Sequence, residues 1–179
     1  MSWAAKPAAW VFAALLALVA LPAAADDLQW TLFRSPEHGF SADFPRAPEL
    51  TTSGTPGKDT LVQYEFQAPI GDNYAYEVAV LEFGSGYVAP KPGVDIYTKL
   101  IEGYAKGSDS TVRTQQPRTI AGLPGREAIT DDDAHNMHHL VDFVIANGRT
   151  YIIVSAGPKG HETSADALRF RDSFALLDK

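Results

Sequence analysis

His139-Leu140-Val141-Asp142-Phe143-Val144-Ile145-Ala146, then Asn147-Gly148, then Arg149-Thr150-Tyr151-Ile152-Ile153-Val154 is the stretch from which the fold can be read. Two apolar, β-branched-rich runs flank a dipeptide whose residues both tolerate positive φ. A type I′ turn needs that conformation at both central positions, so the two runs are expected to form an antiparallel hairpin. In the two-residue register, Phe143 faces Ile152 and Val141 faces Val154. One face of the hairpin is then wholly apolar and must be covered.

Working outward, strand-like alternation recurs at Phe40-Ser41-Ala42-Asp43-Phe44, Thr60 to Phe66 and Tyr74 to Leu81. Helical spacing is rarer. Val94, Tyr97, Ile101 and Tyr104 share one face, with Gly93 before them and Gly107 as a stop. Thr163-Ser164-Ala165-Asp166 opens a second helix through a capping pattern. That helix carries Leu168 and Phe170 towards Phe174, and a short strand at Ala175-Leu176-Leu177 follows. Thr51 to Gly57 and Gly84 to Gly93 read as exposed loops, and Gly122, Pro124 and Gly125 as a turn. Hairpins with two interspersed helices define an α+β domain, an antiparallel β-sheet flanked by helices.

The N-terminus reads differently. Lys6 is the single ionisable side chain before Asp26, and the run from Ala8 to Leu21 is uncharged and apolar. Pro22 breaks the run, and Ala23-Ala24-Ala25 presents small side chains to a peptidase. This is the order of a secretory signal peptide, 1–25, and a run of that length is short for a bilayer span. The expectation is cleavage after Ala25, one domain over 26–179, and a periplasmic or secreted location. No cysteine is present, which excludes disulfides, thiolate catalysis and cysteine-based metal sites. Without Lys6 the chain carries 14 basic and 22 acidic side chains, a formal charge of −8. Such a surface repels phosphate backbones and anionic lipid, so neither nucleic acid nor a membrane surface is expected as a partner.

Several short markers fall in a familiar order: Trp30, then Ser35-Pro36-Glu37-His38-Gly39-Phe40-Ser41-Ala42-Asp43-Phe44-Pro45, Ile120 to Glu127, Arg149-Thr150-Tyr151-Ile152, and Phe170-Arg171-Asp172-Ser173-Phe174. Together they resemble exported bacterial domains of PsbP-like type. The resemblance implies an antiparallel sheet sandwiched between helices, a PsbP-like α/β/α sandwich. Related folds include a thylakoid-lumen subunit of photosystem II and a nuclear-transport factor that binds the Ran GTPase, both binding proteins. No family active site exists to carry over. Each marker also has a plain structural explanation, with the phenylalanines as core anchors and Pro45 as a strand end.

Chemistry-bearing residues concentrate at Asp131-Asp132-Asp133-Ala134-His135-Asn136-Met137-His138-His139. Three imidazoles and three carboxylates are acceptable ligands for zinc, copper or nickel, so His135, His138 and His139 are the candidate metal ligands. The hairpin opposes that reading. In a strand, His138 and His139 point to opposite faces, and His135 and His139 lie about 13 Å apart at roughly 3.3 Å per residue. A solvated loop entering a strand is therefore the preferred reading. Gly84-Ser85-Gly86 lacks the strand-to-helix context of a nucleophile elbow, and Gly54 to Asp59 lacks the spacing of a phosphate loop. Glu65 and Glu77, on neighbouring strands, could pair across a cleft. No catalytic set and no cofactor motif emerges. The leading expectation is an exported, non-enzymatic binding or accessory protein with a partner in the cell envelope. Its contact surface would be a sheet face or the Gly84–Gly93 loop with Tyr87. The alternative is a metal-assisted hydrolase or metal-binding protein using the His135–His139 region.

Overall fold

The computed structural model describes residues 28–57, 59, 61–84 and 95–177. The expected signal segment, the boundary at Asp26, Tyr87 and nearly all of the Gly84–Gly93 loop lie outside the described residues.

Among the described residues, ten strands form two antiparallel sheets, accompanied by two α-helices. The strands are β1 (Thr31–Ser35), β2 (Phe40–Phe44), β3 (Glu49–Ser53), β4 (Leu61–Ile70), β5 (Tyr74–Phe83), β6 (Thr111–Ile120), β7 (Leu123–Asp132), β8 (Met137–Ala146), β9 (Arg149–Pro158) and β10 (Ala175–Leu176). Helix α1 (Ile96–Gly107) precedes β6, and α2 (Ala165–Ser173) follows a short 3-10 turn at His161–Thr163. The large sheet has the order β3-β4-β5-β9-β8-β7-β6, and β1-β2-β10 form a small second sheet.

The decisive hairpin is β8–β9. Val141 pairs with Val154 and Phe143 with Ile152, and Asn147 and Gly148 adopt φ of 53° and 76°. The alternation of the strands then sorts side chains into two cores. Val141, Phe143, Ile152 and Val154 join Leu100 and Ile101 of α1 on one face. Val144, Tyr151 and Ile153 join Phe40, Phe44 and Phe170 on the other, beneath the small sheet and α2. The expected layering holds, with one outer layer built partly of strands. Asp95 caps α1 through a bond from the Tyr97 amide, and Ser164 caps α2 through one from Ala167.

Three expectations need correction. Thr51–Ser53 belong to an edge strand, β3, and not to a loop. The turn placed at Gly122 to Gly125 is tighter: Ala121 and Gly122 alone take positive φ, and Pro124 and Gly125 already lie in β7. The flanking strands β6 and β7 form a complete second hairpin. Finally, the solvated-loop reading fails for two imidazoles, since His138 and His139 stand on β8 and are buried.

The PsbP-like markers acquire physical reasons. Gly39 turns β1 into β2 at φ 75°, and a side chain there would crowd the Tyr151 hydroxyl and Arg149. Phe44 packs edge-on against Phe170, and Phe40 stacks with Phe174, so the first and last markers meet in one core.

Candidate functional site

The sheet ends in a cavity of about 280 Å³ where β6, β7, β8 and the 3-10 turn converge. Its position follows from local irregularities. The β6–β7 register slips between Val112 and Thr114, leaving Arg113 as the extra residue of a bulge, a device that re-aims a side chain. Arg113 turns inward and bonds Asp131 from Nε at 2.9 Å, and from Nη1 it reaches Glu162 at 2.8 Å. Asp131 and His138 are cross-strand partners and therefore share this face.

His138 is enclosed. Its Nδ1 lies 3.0 Å from Glu162 Oε2, and its Nε2 lies 2.9 Å from Arg113 Nη2. Nδ1 also lies 2.6 Å from Arg113 Nη2 and takes the Gly160 amide at 3.3 Å, so the ring is gripped from strand, turn and carboxylate together. Burial alone would push Glu162 up, but bonds from Arg113, a backbone amide and His138 outweigh it and hold the carboxyl at about 2. Asp131 is likewise held low, chiefly by its bonds from Arg113. Charges in this cavity thus answer one another.

The three candidate metal ligands do not meet. His138 faces the cavity. His139 is carried to the opposite face, where Nδ1 lies 3.0 Å from the Tyr104 hydroxyl of α1 and 3.3 Å from Thr130. Burial lowers its pKa. His135 is exposed on the β7–β8 turn, and Asp132 receives both its backbone amide, at 3.1 Å, and a ring contact at 2.7 Å. Among the described residues, no three His, Asp or Glu side chains converge on a point where a metal ion could sit.

Two further clusters lay beyond sequence reading. His161, buried on the 3-10 turn, meets Ser155 at 2.8 Å and Ser164 at 3.1 Å. Gly157 is required beneath it, because a Cβ there would land on the His161 ring. The second cluster fastens α2 to the sheet. Arg118 contacts Asp142 at 3.0 Å and Asp172 at 2.7 Å, while Arg171 bonds Glu127 at 2.8 Å. Asp142 is 1% exposed, and burial pushes it up to about 7 despite the arginines. The alternation in β8 could have flagged Asp142, as a lone acid among apolar neighbours. Its partners come from β6, β7 and α2 and were invisible.

The antiparallel sheets and two helices make a PsbP-like α+β fold. Cyanobacterial PsbP (CyanoP) from Synechocystis sp. PCC 6803, solved in solution, superposes with a TM-score of 0.56 at 12% identity, over 89% of this chain and 99% of that one. A protein of unknown function from Pseudomonas aeruginosa aligns with a TM-score of 0.37, at 12% identity over 73% of this chain and 83% of its own. No family model and no curated protein matches the sequence.

Proposed function

We propose that the chain is an exported, non-enzymatic binding or accessory protein of the cell envelope. The observation that carries this reading is the engagement of its buried histidines by neighbouring side chains. A general base or a metal ligand needs a lone pair free to meet substrate or ion. His138 lines the cavity but is held between Arg113 and Glu162, His139 is engaged by Tyr104 and Thr130, and His161 by two serines. The PsbP type of fold supports the same class. Both faces of the large sheet are covered over much of their width, whereas all five residues of β3 are exposed, Leu50 at 51%. That edge, like the mostly exposed β6 on the other side of the sheet, is open to a partner.

Zinc calorimetry on the wild type and on His135→Ala, His138→Ala and His139→Ala tests the reading. Weak binding is expected, falling by small and similar steps with each substitution, since the imidazoles face different directions. A submicromolar one-to-one site abolished by His139→Ala would instead install the metal-assisted hydrolase or metal-binding alternative.

Export has its own test. Intact mass of protein recovered from the envelope fraction should begin at Asp26, because Ala23 and Ala25 suit the peptidase. Material retaining residues 1–25 in the membrane would overturn the proposed cleavage and export. No described helix is long and apolar enough to cross a bilayer.

A further inference from the structure

The α1-side face of the large sheet is divided. Beneath α1 it is apolar, but at the β3–β5 end it is lined by polar side chains. Thr51 pairs with Glu65, Gln63 with Leu81, and Gln67 with Glu77. Cross-strand partners share a face, so Thr51, Gln63, Glu65, Gln67 and Glu77 all project to the same side. Glu65 and Glu77 are diagonal neighbours there, close enough that Glu65 raises the pKa of Glu77.

Each carboxyl is held by one glutamine. Gln63 donates Nε2 to Glu65 Oε1, and Gln67 donates Nε2 to Glu77 Oε2 at 3.0 Å. Each amide oxygen then faces away from the carboxyl its own nitrogen serves. Glu65 is 7% exposed, yet its Oε2 meets no hydrogen-bond partner among the described residues. A buried carboxyl oxygen without a partner is costly and calls for a ligand. Among the described residues no arginine or lysine pairs with either acid, and two adjacent carboxyls call for a positive ligand.

We propose that Glu65 and Glu77 are the carboxylate ligands of a hard divalent cation. The donors in this corner are oxygens alone, the set that calcium accepts and that softer metals use poorly. The exposed edge strand β3, with Thr51 beside Glu65, leaves an approach from solvent.

Calorimetry with calcium chloride on the full chain at pH 8.5 tests the site. The expected result is one-to-one binding. Affinity should fall at least tenfold in Glu65→Gln and in Glu77→Gln, and stay unchanged in Glu102→Gln on the outer surface of α1. Glu65→Asp keeps the charge and withdraws the oxygens by one methylene, so it decides the matter if a glutamine variant fails to fold. A tenfold loss in it supports the site, and an unchanged affinity overturns it. Absence of calcium binding at pH 8.5, binding that survives both glutamine variants, or binding of methylammonium in place of calcium would each overturn the proposal.

Discussion

Arg118→Met is expected to lower the stability of the domain by about 3 kcal/mol at pH 8, as removal of one member of a buried ion pair does. Arg118 reaches Asp142, Glu127 and Asp172. Without it, Asp142 keeps only the more distant Arg171 and remains 1% exposed, with Oδ1 already lacking a partner. The pH dependence identifies the cause. Asp142 already titrates higher when folded, at about 7, than the ordinary value of 3.8. The folded state therefore holds a proton that the unfolded chain releases, and stability falls as pH rises through that window. Arg118→Met should push the folded value higher still and carry the fall on to higher pH, so the part of its deficit due to Asp142 fades as pH drops below about 7. Asp142→Asn added to Arg118→Met should recover most of the loss, because the amide carries no charge to bury. Urea unfolding of the three variants between pH 4 and 9 measures this, and a deficit independent of pH would show that Asp142 is not its origin.

Phe170→Ala should cost about 3–5 kcal/mol, the range for removing a buried aromatic ring from a core that cannot collapse around the space. The ring is 0% exposed and lies 5.0 Å from Phe44 and 5.3 Å from Tyr76, centroid to centroid. It pins α2 to β2 and to β5 at once. Phe170→Leu should lose about 1.5 kcal/mol or less, since most of the volume is kept. Urea midpoints decide the matter, and equal midpoints for the alanine variant and the wild type would mean α2 is not anchored there.

The sheet was legible where its strands are buried. The β8–β9 hairpin announces itself because Val141, Phe143, Ile152 and Val154 line one face and Asn147-Gly148 makes the only turn compatible with them. The β6–β7 hairpin is just as long, yet β6 is an edge strand, mostly exposed along its length. Thr111 to Ile120 carries no apolar alternation and includes Pro117, which an edge tolerates. Its turn is Ala121-Gly122, where alanine gives no signal of positive φ. The same gap hid Arg113, since a bulge depends on register and not on residue type. For the histidines, alternation along β8 was enough to part His138 from His139. Their partners could not be foreseen, as Tyr104 and Glu162 reach them from elements more than twenty residues away. Glu65 and Glu77 were visible as neighbours, but their burial and their two glutamines were not.

The strand order β3-β4-β5-β9-β8-β7-β6 is two meanders laid side by side, joined along β5 and β9. Every other pairing in the large sheet links consecutive strands, whereas this one brings Glu82 to Arg149. During folding, each meander can assemble from short hairpin closures, and the long-range step is the docking of one upon the other. Once β6 to β9 have formed, only the stretch from Phe83 to Thr111 remains to be closed, at a cost that grows slowly with its length. The central seam is therefore the pairing of the large sheet expected to close last, and it joins Val78 to Ile153 and Ala79 to Ile152, all four buried in the finished protein.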